Sequence, residues 1–268
     1  MSTENPKTDP TTLTQTFSSQ SPTHSYTVKR RSLRHPSSPP LIFIHGTPWS
    51  SRVWVPHALA LSRQYHVYVS DNTSFSDSPI EQELPDTEFK PANKVISLDA
   101  DLARQTEVFT ALFKSWEKEW DDGKPHIFAH DDAGLDNEFT KLAWIFEELP
   151  PHMAVEGIVE RYIRKVGFYE LSRDDLQGLE ELWLRDVRVG KKGSTEVVEG
   201  RYEEVGEVMP VKLIWGAEDR WIAVRDAVRL GEALGAREVV VVEDAGYLIM
   251  YDQPTQLGVE LGRWLTIL

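Results

Sequence analysis

Apolar residues fall along this chain in short runs, separated by polar, Gly-rich and Pro-rich stretches. Five runs, Leu41–His45, His66–Ser70, Pro125–His130, Val211–Trp215 and Glu238–Val242, are too short for helices and rich in Val, Ile and aromatic side chains. That pattern predicts buried β-strands. His24–Arg31 alternates more weakly and predicts a first, edge strand. Between the runs the spacing changes to the helical period. Leu102, Phe109, Leu112, Phe113 and Trp116 share one face of a predicted helix, and Val224–Leu234 and Thr255–Leu265 read the same way. Strands alternating with helices predict an α/β fold with a mostly parallel, doubly wound sheet covered on both faces. In such sheets function collects at the carboxyl ends of the strands.

The stretch from Asp131 to Met209 breaks the alternation. It carries helical patterns at Leu142–Leu149, Val155–Ile163 and Leu176–Leu184, and no continuous apolar run of strand length. It predicts a helical lid over residues 141–204, inserted between two parts of one core, 23–140 and 205–268. Residues 1–22 are dominated by Ser, Thr, Gln and Pro and predict a disordered tail.

Composition narrows the function. The chain has no cysteine, which excludes disulfides, thiolate metal sites and a cysteine nucleophile and fits a reducing compartment. No run approaches the ~18 apolar residues of a membrane span, and the N-terminus lacks the apolar centre of a signal peptide. The expectation is a soluble, cytoplasmic protein that does not engage a membrane. Net charge is −14. Since affinity for phosphate backbones rests on Lys and Arg, nucleic acid is not an expected partner.

The residues that follow the predicted strands hold the candidate chemistry. After the first comes His45-Gly46-Thr47-Pro48-Trp49. The glycine permits close backbone approach, and a free N–H beyond it can donate to an oxyanion. After the third comes Ala129-His130-Asp131-Asp132-Ala133-Gly134. Small residues two before and two after Asp131 suit a sharp strand–turn–helix elbow that exposes its central side chain. The N–H of Asp132 would then lie at a helix start. An Asp in this place equally suits a plain helix N-cap. After the fourth comes Gly216-Ala217-Glu218-Asp219, an acid placed where it can orient a histidine. After the last comes Ala245-Gly246-Tyr247.

Taken in order, these blocks resemble the α/β-hydrolase superfamily. More narrowly, they resemble its aspartate-nucleophile branch of epoxide hydrolases and haloalkane and haloacetate dehalogenases. His45-Gly46-Thr47-Pro48 matches the oxyanion segment, His130-Asp131 the elbow, and Gly216 to Asp219 with Trp221-Ile222 the acid loop. Ala245-Gly246 and Asp252-Gln253-Pro254 match the last loop and the helix start after it. Asp71 with Ser78 resembles the loop after the preceding strand.

The resemblance implies that Asp131 attacks an electrophilic carbon to form an ester, which a histidine oriented by Asp219 hydrolyses with water. It implies that the N–H groups of Thr47 and Asp132 hold the oxyanion. Tyr162, Tyr169 or Tyr202 from the lid would protonate an opening epoxide, unless they serve only packing. Trp49 stands near the mouth of the site. No metal or cofactor is implied, and the expected partner is a small apolar molecule.

This sequence departs from the family at the general base: position 247 is tyrosine. A neutral Tyr, with a pKa near ~10, cannot replace an imidazole. Asp132 stands where dehalogenases place a halide-binding Trp. After the elbow helix the family adds a buried strand, and no apolar run supplies it, as in a shortened relative or a gene model with a lost segment. The expected function is an epoxide-hydrolase-like protein with weak or absent turnover. The alternative is a non-hydrolytic binding protein or a repurposed catalyst on the same scaffold.

Overall fold

A computed structural model of the chain describes residues 12–22, 24–33, 38–46, 49–73, 75–79, 82–83, 102–120, 124–130, 164–177 and 205–268. These fall into two compact units.

The first unit is built on β1 (Gln15–Gln20), β2 (His24–Leu33), β3 (Pro40–Ile44), β4 (His66–Ser70), β5 (Gln82–Glu83) and β6 (His126–Ala129). Their order across the sheet is β1-β2-β4-β3-β6, with β5 also paired to β2. Strand β3 runs parallel to both β4 and β6, with Leu41 opposite Val67 and His126, whereas β2 is antiparallel to its neighbours. The alternation of side chains gives each face of the sheet its own cover. On one face Tyr26, Val28, Ile42 and Tyr68 pack with Val108, Leu112 and Trp116 of α2 (Leu102–Glu117). On the other, Phe43 lies against Trp54 at 5.1 Å and Phe128 at 5.4 Å. Trp54 ends a 3-10 turn (Ser51–Trp54) that leads into α1 (Val55–Leu61).

The sequence expectation holds for β3, β4 and β6 and is corrected at the N-terminal side. Gln15–Gln20, placed in a disordered tail, is a strand, and β2 is therefore an inner strand, not the edge. The cause is pairing rather than hydrophobicity. β1 joins β2 through a turn in which Ser21 N–H donates to the His24 carbonyl at 2.8 Å and His24 N–H donates to Ser21 Oγ at 3.1 Å. One apolar side chain, Phe17, reaches the core cluster. A polar strand needs little more when it has one neighbour and one wet face.

The second unit holds a parallel pair, β7 (Lys212–Gly216) and β8 (Glu238–Val242), with Leu213 opposite Val239. Around it lie α3 (Val205–Val208), α4 (Val224–Leu234), α5 (Ile249–Asp252), α6 (Pro254–Ile267) and a helical turn over 173–177. Helix α4 ends as its pattern predicts, with Gly235 in the left-handed region at φ 62°. Lys212 reaches Glu260 at 2.7 Å and Glu238 at 3.1 Å, and Arg263 reaches Glu260 at 3.1 Å. Lys212 holds the Glu260 carboxyl below the usual carboxylate range and ties β7 to α6.

Among the described residues, β6 pairs only with β3, and β7 only with β8. These strands are accordingly less buried than their apolar runs predict: Ile127 is 38% exposed and Val241 39%. The predicted lid helices Leu142–Leu149 and Val155–Ile163 lie outside the described residues, as does most of Leu176–Leu184. Among the described residues no helix is long and apolar enough to cross a membrane.

Candidate active site

The end of β7 and the end of β8 are laced together. A Cβ on Gly216 would collide with the carbonyl oxygens of Ala245 and Gly246, so only glycine permits the approach. Ala217 N–H donates to the Val242 carbonyl at 2.8 Å and Glu218 N–H to the Ala245 carbonyl at 2.9 Å. In return, Ala245 N–H donates to Glu218 Oε2 at 3.0 Å. The acid loop and the turn carrying position 247 thus form one backbone unit.

Asp219 sits on this unit, partly buried. Its Oδ1 accepts the N–H of Trp221 at 2.8 Å and of Ile222 at 2.9 Å. Burial pushes the carboxyl up to about 6, against the pull of those two donors. The carboxylate is held by its own loop, in a short side-chain-to-backbone turn. Tyr247 is buried, 6% exposed, and its ring lies on that of Trp221 at 4.7 Å with a 35° tilt. The structure therefore brings together the acid loop and position 247, as the sequence predicts, with an aromatic pair between them. The last histidine in the sequence is His152, so neither 164–177 nor 205–268 supplies an imidazole.

The turn at 247 is also anchored from a distant segment. Asp252, the last residue of α5, is buried and accepts the N–H of Gly246 and of Phe168 on Oδ2, both at 2.8 Å, and of Tyr169 on Oδ1 at 2.9 Å. Tyr247 N–H donates to the Val166 carbonyl at 3.2 Å. Tyr169, a predicted substrate contact, is half exposed at 50%.

In the first unit the predicted oxyanion segment leaves β3 through His45, which is almost wholly buried. Asn72 N–H donates to His45 Nε2 at 2.8 Å, so the ring proton is on Nδ1, which donates to the Gly46 carbonyl at 2.8 Å. Asn72 Nδ2 donates to the His45 carbonyl at 2.9 Å. A Cβ on Gly46 would lie 2.7 Å from the His130 carbonyl oxygen, so this glycine serves contact between strand ends. Burial lowers the His45 pKa and takes that of His130 down to about 3, with His45 adding to the second shift. The His45 ring accepts at Nε2 and so is neutral, and burial keeps the His130 ring neutral as well. Asp71 Oδ1 accepts from Ser51 N–H at 2.8 Å and Ser51 Oγ at 2.7 Å, and Ser78 Oγ donates to the Asp71 carbonyl at 2.8 Å. These bonds tie Asp71 to Ser51 and to Ser78. Trp49, a predicted substrate contact, is fully buried. Thr47, Asp131, Asp132, Tyr162 and Tyr202 lie outside the described residues.

These strand-end loops sit within a chain whose residues 41–260 match the model of the Alpha/beta hydrolase family. The chain belongs to that family. Solved structures agree on the fold of this alpha/beta hydrolase. An alpha/beta hydrolase fold protein from Burkholderia ambifaria is 23% identical, with a TM-score of 0.72 over 93% of this chain and 97% of that one. A thermophilic esterase from Thermogutta terrifontis is 13% identical, with a TM-score of 0.62 over 94% and 98%. An esterase from Exiguobacterium antarcticum is 13% identical, with a TM-score of 0.59 over 90% and 96%. At these identities the likeness is one of fold. A comparison with curated proteins gives no match.

For this alpha/beta hydrolase, sequence reasoning placed the acid loop, the 247 turn and His45. It left Asn72 and the Phe168–Tyr169 backbone without roles. Asn72 directly follows Asp71, the first residue after β4, which is its only local signal. Phe168 and Tyr169 have none, because they enter through main-chain N–H groups. Among the described residues no group of three or more His, Asp or Glu side chains is arranged to hold a metal ion.

Proposed function

We propose that this alpha/beta hydrolase family member acts on a small apolar electrophile of the epoxide class. Asp131 attacks a ring carbon and opens the C–O bond. The alkoxide takes a proton from a tyrosine of the 141–204 segment, and an ester remains on Asp131. The N–H groups of Thr47 and Asp132 hold the ester carbonyl oxygen. Hydrolysis of that ester is slow. The observation that carries this reading is Tyr247 itself, buried on Trp221 where the resemblance calls for an imidazole, with Asp219 held by its own backbone. General base catalysis contributes about 100-fold to 10,000-fold, and its loss leaves the second step stranded.

Esterases among the solved structures suggest carboxylic esters as another substrate. An aspartate nucleophile argues against them, because attack on an acyl carbon would give an anhydride, whereas attack on an alkyl carbon gives a stable ester. The second reading, a binding protein or repurposed catalyst on this scaffold, draws on the same aromatic pair, since a closed Tyr247–Trp221 contact forms an apolar surface without a base.

Replacing Tyr247→His is the test. Release of diol from a reactive epoxide should rise at least tenfold over the unmodified protein. Fast release by the unmodified protein, slowed by the substitution, would overturn the proposal.

A further inference from the structure

Asp252 is a single buried carboxylate that joins its own turn to backbone at Tyr169 and Phe168, 83 and 84 residues earlier in the sequence. Its Oδ2 accepts both Gly246 N–H and Phe168 N–H at 2.8 Å, and its Oδ1 accepts Tyr169 N–H at 2.9 Å. The approach is close on every side. A Cβ on Gly167 would stand 3.0 Å from Asp252 Oδ1, and one on Gly246 would stand 2.8 Å from the Val166 carbonyl oxygen. The Val166 carbonyl in turn accepts Tyr247 N–H at 3.2 Å. Neither segment is a strand or helix at these residues, so no regular ladder fixes them. Three donors converge on one side chain instead, and donors buried without an acceptor are costly.

We propose that Asp252 is a positioning residue, which locks the turn presenting position 247 to the Phe168–Tyr169 backbone so that Tyr247 and Tyr169 are set as one rigid piece. Three bonds cross between the segments, two on this carboxylate and one on the Val166 carbonyl, and a fourth, from Gly246 N–H, ties the carboxylate to its own turn. One residue therefore determines where the side chain at 247 stands and where the half-exposed Tyr169 stands. Its functional consequence rests on the reading that position 247 faces the reacting ester. The mechanical coupling does not.

The coupling is tested by amide hydrogen exchange on the full chain, with near-ultraviolet circular dichroism reporting the Trp221–Tyr247 ring pair. In Asp252→Ala, the amides of Phe168, Tyr169 and Gly246 should together exchange at least tenfold faster, and the ring-pair signal should fall. Asp252→Asn keeps one oxygen. Turned toward Gly246 and Phe168, it should protect those two amides and release Tyr169 alone. Glu260→Gln weakens the Lys212 ion pair of the same unit without touching the turn, and should leave the three amides and the ring signal as they are. In Asp252→Ala, faster exchange in only one of the two segments, or an equal effect from Glu260→Gln, would overturn the proposal. In a Tyr247→His background, Asp252→Ala should lower the rate constant for diol release at least tenfold, and Asp252→Asn should recover part of it. Absence of release from Tyr247→His alone would overturn the hydrolase reading. The exchange pattern decides the positioning role by itself.

Discussion

The Asp219 carboxyl, pushed up to about 6 by burial, has lost more solvation than the N–H groups of Trp221 and Ile222 restore. An unfolded aspartate titrates near ~3.9, so the folded chain holds this proton more tightly. The stability it contributes is full below about pH 4 and is lost as pH rises through about 6. Asp219→Asn keeps a carbonyl oxygen for both donors and removes the charge. It should stabilise the protein at pH 7 by up to about 3 kcal/mol and leave it unchanged near pH 4. Urea unfolding at the two pH values measures the difference, and equal effects at both would contradict the account. Asp219 and Tyr247 were legible because each follows an apolar run. Their relation was not. The ring contact of Trp221 on Tyr247 joins two loops, and a linear pattern carries no signal for it. Asp252 shows the same limit: in the sequence it is an acid two residues before Pro254, and its three donors come from main chain at 168, 169 and 246.

Elements were more legible than residues where the core determines them. The runs at Leu41, His66, Lys212 and Glu238 became strands, and α2, α4 and α6 followed their helical periods. β1 escaped because an edge strand with one apolar anchor, Phe17, has no run to read. What the elements require of one another appears at their glycines. Gly46→Ala would press a methyl 2.7 Å from the His130 carbonyl oxygen, and Gly216→Ala would drive one into the Ala245 and Gly246 carbonyls. Backbone atoms cannot step aside as side-chain tips do, so each substitution should cost at least ~2 kcal/mol. Denaturant titration checks this. Gly262→Ala, with open space around it, should be neutral or slightly stabilising, since it lies inside α6 where glycine is about 1 kcal/mol less favourable than alanine.

At the scale of the molecule, the family match over residues 41–260 and the fold likeness place the chain among alpha/beta hydrolases. On the proposed reading, tyrosine at 247 is what sets it apart from a member with a complete set of catalytic groups. The charge of −14 bears on the solvation of the surface rather than on the reaction. The central claim is that Asp131 is a working nucleophile whose ester outlives the reaction for lack of an imidazole. Intact-mass spectrometry of the full chain after incubation with a reactive epoxide, followed by peptide mapping, tests it most directly. The account predicts a single persistent adduct, equal in mass to the epoxide, on Asp131, and its hydrolysis within minutes in Tyr247→His. No adduct on Asp131 in either protein, or rapid diol formation by the unmodified protein without any adduct, would contradict it.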